Sequence, residues 1–252
     1  MLRSIYPKVK ALISLFLLLA GGICFVFALP PSPARPAPGP SSTPVIHADT
    51  IDYIDLYDTL QLDTLLLTRE AFNYALQGYK NLKSSGAIQH TGILSIVDFS
   101  LPSDKKRLFV LNMENGKLLF NTWVSHGRNS GREMATRFSN RNNSKQSSLG
   151  FYVTGDPYIG EHGYSLRLDG VEEGINDNAF SRGIVIHSAK YVDESIIQKK
   201  GYIGRSLGCP AIAKEFSAAV IDSIKNGSCL FLYSPDKKYI SHSKMIGQQG
   251  NS

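Results

Sequence analysis

A series of short apolar stretches, separated by turn residues, constrains the fold of this chain more than any other feature. Two of these stretches, residues 107–112 and 117–124, flank Glu114-Asn115-Gly116. An Asn-Gly pair between two apolar runs favours a β-hairpin, because both residues tolerate a positive φ. Similar stretches at 93–99, 150–154, 165–168, 183–187 and 230–233 predict further strands. We therefore expect a β-rich domain of the α+β class with a few helices.

Two helices are predicted beside the strands. The first lies within residues 50–84, where apolar residues recur at the spacing of an amphipathic helix: Phe72, Ala75, Leu76 and Tyr79. Thr68 precedes this repeat and Gly86 follows it, as expected at helix ends. The second helix is predicted over residues 214–225, with an apolar face formed by Ala218, Ala219, Ile221 and Ile224.

The N-terminal residues predict export from the cytoplasm. Arg3, Lys8 and Lys10 precede an almost unbroken apolar run over residues 11–29, and residues 1–28 contain no acidic side chain. A positive flank followed by such a run is typical of a signal peptide. The run is also close to the length that spans a bilayer, so an uncleaved membrane anchor is the alternative. In either case we expect the protein in the periplasm or cell envelope.

Composition divides the chain into five segments. Residues 1–28 form the signal peptide or anchor, 29–48 a Pro-rich linker, 49–88 a helical segment, 89–240 the main domain and 241–252 a polar tail. The first segment carries half of the formal net charge of +6. The remaining chain has no basic cluster interleaved with aromatic side chains, so a nucleic acid partner is not expected.

Cys209 and His187 are the residues that predict chemistry. Cys209 lies in a glycine-containing turn, whereas Cys229 lies in an apolar run typical of a buried core thiol. His187 ends a β-branched run that predicts a strand. A cysteine nucleophile needs a base or cation to stabilise its thiolate, and histidine is the usual one. Gly208 allows the backbone to approach a substrate, and the turn can offer N–H groups to an oxyanion.

Four further side chains are candidates for the lining of the site. His126 and His162 are interpreted as loop residues that shape a cleft, and Tyr164 as part of its wall. A zinc site built from histidines and Cys209 is the alternative, although no two of them show a recognised ligand spacing. We therefore predict no cofactor. Arg205 is a candidate for binding a carboxylate, because guanidinium pairs with it bidentately, and a loop salt bridge is the alternative.

Four segments resemble, in the same order, the murein L,D-transpeptidase catalytic domain of the YkuD type. They are residues 108–128, 147–152, 186–188 and 206–209. Residues 204–210 are similar to the Gly-Arg-Ser-x-Gly-Cys-Pro signature of one branch of that family. The resemblance covers residues from about 107 to 235. It implies a β-rich sandwich and a catalytic domain within residues 89–240.

The resemblance also implies a reaction. Cys209 would attack the carbonyl of the third residue of a peptidoglycan stem peptide and expel the terminal D-alanine, with His187 moving the proton. The carbonyl of Ser188 would orient His187, and the N–H groups of Gly208 and Cys209 would bind the oxyanion. Ser206, within the signature, is assigned to substrate binding with Arg205. An amine of a second stem peptide would resolve the thioester and form a crosslink.

Departures from the family pattern leave the acyl acceptor open. Leu207 replaces a histidine that the wider family has before its cysteine, and Ser147-Ser148 replaces Thr-Pro. Hydrolysis of the same thioester would make the protein an L,D-carboxypeptidase. A non-catalytic murein-binding module is the other alternative.

Overall fold

A computed structural model describes residues 53–247 of the 252-residue chain. The predicted signal peptide or anchor, the Pro-rich linker and the last part of the predicted tail lie outside these residues. In this described region, no helix combines the length and the apolar character needed to cross a membrane.

Eight strands and five helices form the described part of the chain. The strands are β1 (Ile93–Asp98), β2 (Leu108–Asn112), β3 (Lys117–Thr122), β4 (Gly150–Gly160), β5 (Gly163–Gly170), β6 (Val185–Ser188), β7 (Ala211–Ile212) and β8 (Cys229–Tyr233). The helices are α1 (Tyr53–Thr59), α2 (Arg69–Ser84), α3 (Glu194–Lys200), α4 (Lys214–Ile224) and α5 (Lys237–His242). The sequence patterns did not predict α3, α5 or β7, which are all short.

All eight strands belong to one sheet, in the order β3-β2-β1-β8-β4-β5-β6-β7. The pairs β1–β8 and β6–β7 are parallel, and the other neighbours are antiparallel. Two isolated bridges, Val124 to Ile212 and Gly127 to Ser206, join the segment after β3 to the region around β7. The two ends of the sheet therefore approach each other, and the sheet is nearly a barrel. The predicted β-rich α+β fold with a few flanking helices is confirmed.

The predicted hairpin is formed by β2 and β3, with Asn112 opposite Lys117. Its loop is longer than an Asn-Gly pair, and of that pair only Gly116 has a positive φ, of 63°. The side-chain oxygen of Asn112 accepts the N–H groups of Glu114 and Asn115 at 2.9 and 3.1 Å. This side-chain oxygen closes the loop, as Asn commonly does at turns.

Helix α2 packs its apolar face on the centre of the sheet. The hydroxyl of Thr68 accepts the N–H of Ala71 and caps the first turn. The four predicted apolar residues, Phe72, Ala75, Leu76 and Tyr79, are all buried. They belong to the same core as β1 and β8. The predicted helical segment therefore shares its core with the sheet, and a non-helical stretch over 60–68 separates α1 from α2.

Helix α4 corrects one prediction. Ala218 and Ala219 are exposed, although the sequence placed them on the apolar face. The buried positions of the helix are Ser217, Val220, Ile221 and Ile224. These four follow the i, i+3, i+4, i+7 spacing, so the helix is rotated to bury the larger Val220 side chain instead of two alanines.

A buried carboxylate fixes the C-terminal end of the described chain. Glu172 accepts hydrogen bonds from the N–H of Phe151 at 2.8 Å and the hydroxyl of Tyr239 at 3.1 Å, and from the hydroxyl of Ser243. Burial raises the pKa of the Glu172 carboxyl, and these hydrogen bonds oppose the shift. Ser243 and Ile246 are buried. The first part of the predicted polar tail is therefore packed against the domain.

Candidate active site

Strand β6 brings His187 beside the turn that contains Cys209. His187 pairs with Ser165 on β5 and with Ala211 on β7, so neighbours on both sides fix its backbone. Cys209 lies two residues before Ala211, where the chain enters β7. The parallel register of β6 and β7 therefore places the histidine and the cysteine turn side by side, although they lie 22 residues apart in the sequence.

His187 and Cys209 line one cavity of about 480 Å³. Its remaining wall includes Arg182 and Tyr191 as well as Leu207 of the cysteine turn. The Leu207 side chain is 62% exposed and presents an apolar surface at the opening. The arrangement offers a thiol and an imidazole to a ligand of peptide size within one concave site.

The hydrogen bond of His187 defines which ring nitrogen can accept a proton. Nδ1 lies 2.9 Å from the carbonyl oxygen of Ser188. A carbonyl can only accept, so Nδ1 carries the hydrogen and Nε2 is the acceptor of the neutral ring. Burial lowers the pKa of His187, with a smaller contribution from His162, while the hydrogen bond to Ser188 opposes the shift. His187 is therefore a neutral base at neutral pH.

The thiol of Cys209 is half-buried and donates to the carbonyl of Gly183 at 3.5 Å. Burial raises the pKa of the thiol, whereas the N–H of Val185 and the charge of Arg182 favour the thiolate and oppose the shift. Burial thus disfavours the charged forms of both Cys209 and His187, so the resting pair is a neutral thiol beside a neutral imidazole.

The hydroxyl of Ser206 builds the turn that presents Cys209. It accepts the N–H of Gly208 at 3.0 Å and donates to the carbonyl of Cys209 at 2.6 Å. Ser206 lines the cavity, and its hydroxyl is used within the turn. This geometry corrects one prediction, because the N–H of Gly208, expected to bind an oxyanion, is already engaged. The N–H of Cys209 has no oxygen acceptor among residues 53–247 and is the donor left for an oxyanion.

Arg182 is a site residue that the sequence analysis did not single out. Its guanidinium lies beside the cysteine turn and donates to four acceptors in the loop before β4. These are the carbonyls of Ser139 and Gln146, at 2.7 and 2.6 Å, and the hydroxyls of Ser144 and Ser148, at 3.3 and 3.1 Å. Arg182 therefore fixes this loop and places a positive charge near Cys209. Arg182 directly precedes the predicted strand over residues 183–187, which ends in His187, and this position could have indicated that it lies near the site.

Residues 64–233 match the family model of the L,D-transpeptidase catalytic domain. The chain belongs to this family. The match includes every strand of the sheet and both residues of the Cys209–His187 pair. A comparison with curated proteins finds no match.

Several solved structures are similar to this L,D-transpeptidase domain. One is an L,D-transpeptidase from Mycobacterium smegmatis, with 15% identity and a TM-score of 0.36 over 57% of this chain and 59% of that one. Another, an L,D-transpeptidase in complex with imipenem, has 14% identity and a TM-score of 0.35 over 56% and 59%. A variant of the helical cell shape determining protein from Campylobacter jejuni has 14% identity and a TM-score of 0.38 over 68% and 58%. The chain thus spans about three fifths of the length of these proteins.

His126 supports the cysteine turn of the L,D-transpeptidase domain instead of lining its cavity as predicted. Its side chain is fully buried, and its Nδ1 accepts a hydrogen bond from the guanidinium of Arg107 at 2.7 Å. Burial, together with the charge of Arg107, lowers the pKa of His126 to about 3. The carbonyl of His126 accepts the N–H of Ser206 at 2.9 Å. The buried His126–Arg107 pair therefore supports the turn that contains Cys209.

The remaining predicted residues divide between the cavity and the outer surface. His162 and Arg205 line the cavity. Arg205 makes no salt bridge within the described region and instead donates to the carbonyls of Arg128 and Gly131 at 3.2 and 3.0 Å. Tyr164 does not line the cavity, because its hydroxyl donates to Asp222 at 2.7 Å.

The described part of the domain offers no alternative metal centre. No group of three or more His, Cys, Asp or Glu side chains in residues 53–247 is arranged to hold a metal ion.

A second cavity of about 510 Å³ lies beside α5, between Phe138 and Tyr239. It contains no cysteine, so its lining offers no thiol nucleophile.

Proposed function

We propose that the chain is an exported cysteine L,D-transpeptidase that crosslinks peptidoglycan stem peptides. The observation that supports this proposal most strongly is the shared cavity of Cys209 and His187, in which Nε2 is the free proton acceptor. Membership of the family supports the substrate class. The basic and apolar N-terminal sequence supports export, with the segment cleaved as a signal peptide or retained as an anchor.

The first half of the proposed reaction forms an acyl-enzyme. Nε2 of His187 takes the proton of Cys209 as the sulfur attacks the carbonyl carbon of the third stem residue. The negative charge on the carbonyl oxygen is stabilised by the N–H of Cys209. The intermediate then collapses to a thioester, the C–N bond to the terminal D-alanine breaks, and His187 returns its proton to the departing amine.

The second half of the reaction transfers the acyl group. Nε2, again free, takes a proton from the side-chain amine of a second stem peptide as that amine attacks the thioester carbon. The C–S bond breaks, the proton passes to the sulfur, and the product is a crosslinked dimer. Water in place of the amine would give a tripeptide, the product of an L,D-carboxypeptidase. No cofactor is required in either half.

Product analysis tests the proposal. The full chain is incubated with purified disaccharide-tetrapeptide, and the products are separated and weighed by mass spectrometry. We expect a crosslinked dimer with release of D-alanine. Tripeptide as the sole product would replace the transpeptidase with a carboxypeptidase, and unchanged substrate would support a non-catalytic module.

Two cysteine variants provide the matched comparison. Cys209→Ala should abolish both products, because no other described side chain in the cavity offers a thiol. Cys229→Ala should retain activity, because Cys229 is fully buried in β8 and away from the cavity. Activity that survives in Cys209→Ala would refute the assignment of the nucleophile.

A further inference from the structure

The ring of His162 packs directly against the imidazole of His187. The two rings are stacked, with their centroids 4.2 Å apart and their planes inclined by 25°. His162 lies in the turn between β4 and β5, whereas His187 lies on β6. Both residues line the cavity that contains Cys209. Among the described residues, no other aromatic ring stacks on the imidazole of His187.

The stack restrains a degree of freedom that the strand does not fix. Pairing on both sides of β6 holds the backbone of His187, but rotation about χ2 remains for the ring. The hydrogen bond to Ser188 fixes one edge of the ring, and His162 covers one of its faces. Together these contacts define where Nε2 points, and a misplacement of about 1 Å can cost a hundredfold in rate.

His162 is also placed to act through its charge. It is exposed to solvent, whereas His187 is only 4% exposed. A proton on His162 makes a second proton on the stacked ring unfavourable, because like charges at this distance repel. The other charged or titratable groups around the cavity are Arg182, Lys190, Tyr191, Arg205 and Cys209. None of these stacks on His187, and His162 is the one whose charge lowers the pKa of His187.

We propose that His162 is a positioning residue, which holds the ring of His187 for proton transfer and keeps it in its neutral, proton-accepting form as the pH falls. The inference rests on the proposed function for its catalytic consequence, but the contact between the two rings can be tested without substrate. The sign of the effect follows from the repulsion. When His162 cannot be charged, His187 accepts a proton at higher pH and loses its function as base at higher pH.

Three substitutions separate packing from charge. His162→Phe keeps an aromatic ring against His187 but cannot be protonated, and it adds little burial because His187 is already almost fully covered. His162→Gln removes the charge without adding bulk, and His162→Ala removes both the ring and the charge. His242→Phe is the matched control, since His242 is an exposed histidine in α5 that does not line this cavity.

NMR titration of the ring protons of His187, assigned with His187→Ala, tests the charge effect in the full chain. We expect the pKa of His187 to rise in His162→Phe and His162→Gln and to stay at the wild-type value in His242→Phe. An unchanged pKa in both His162 variants would overturn the proposal. This result would not bear on the transpeptidase activity, which Cys209→Ala tests separately.

The pH dependence of kcat/KM tests the catalytic consequence. The acidic limb of the profile reports the essential base of the free enzyme. It should move to higher pH in all three His162 variants. His162→Phe should retain most of kcat, whereas His162→Ala should lose up to about a hundredfold, because the ring of His187 is no longer held. An equal kcat in wild type and His162→Ala would contradict the positioning role.

Discussion

Gly208→Ala is the substitution for which the structure predicts the clearest effect. Gly208 has a φ of +134°, a conformation that residues with a Cβ rarely adopt. A Cβ at this position would lie 2.9 Å from the carbonyl oxygen of Gln146 and 3.0 Å from Cδ1 of Ile184. The first of these contacts is with backbone, which cannot rotate away as a side chain can.

Two effects set the expected magnitude. The backbone conformation costs about 1–3 kcal/mol for a residue with a Cβ. Overpacking against the fixed neighbours adds about 1–3 kcal/mol. We therefore expect Gly208→Ala to lower the free energy of unfolding by about 2–6 kcal/mol. Because Cys209 is the next residue, a shift of the turn by about 1 Å should also lower the crosslinking rate by about a hundredfold.

Gly86→Ala is the matched control. Gly86 also has a positive φ, of +71°, but no atom lies within 4 Å of a Cβ built there. This variant should lose about 1–2 kcal/mol of stability and no activity. Urea denaturation measures the first quantity, and the rate of crosslinking measures the second. Equal losses of stability in the two variants, or wild-type activity in Gly208→Ala, would refute the account of this turn.

Two further predictions concern the hydrogen bonds of Arg182 and the pKa of the Cys209 thiol. Arg182→Met should destabilise the domain by about 2–3 kcal/mol, as hydrogen bonds to a charged group are lost, whereas Arg182→Lys should recover part of the loss; thermal unfolding measures both. Because burial raises the pKa of Cys209, its alkylation by iodoacetamide should increase with pH through a midpoint above that of free cysteine. Peptide mapping distinguishes this thiol from the other cysteines, and a midpoint below that of free cysteine would contradict the neutral resting pair.

The sequence predicts the parts of the fold in which the local pattern and the tertiary contacts agree. The apolar repeat from Phe72 to Tyr79 is buried as a helix face, and the hairpin around Gly116 forms where turn chemistry and strand pattern coincide. The two-residue strand β7 has no pattern of its own. It exists because Ala211 and Ile212 pair with β6, which no local window of sequence can indicate.

The candidate site shows the same division between local and long-range information. His187 and Cys209 could be proposed from the residues around them, because a strand end and a glycine turn have local signatures. The role of Ser206 could not be proposed in this way, because it depends on how the turn folds to bring the N–H of Gly208 to the Ser206 hydroxyl. Arg182 was missed because its four acceptors lie 34–43 residues earlier in the chain.

His126 and Tyr164 illustrate why residue type alone is a weak guide. Both have side chains that commonly occur in active sites, and Tyr164 lies on β5, which pairs with the strand of His187. Burial beside Arg107 makes His126 a neutral structural residue, and Tyr164 points to Asp222 on α4. Only the surroundings of each side chain, which its local sequence does not show, separate them from His162.

Mass spectrometry of the acylated protein tests the central claim most directly. The full chain is mixed with the β-lactam imipenem, whose strained ring carbonyl acylates nucleophilic side chains, and its intact mass and peptide map are recorded. The account predicts one adduct on the peptide that carries Cys209, slower formation in His187→Ala, and none in Cys209→Ala. An adduct on another residue, or equal labelling of Cys209→Ala and wild type, would show that this sulfur is not the nucleophile.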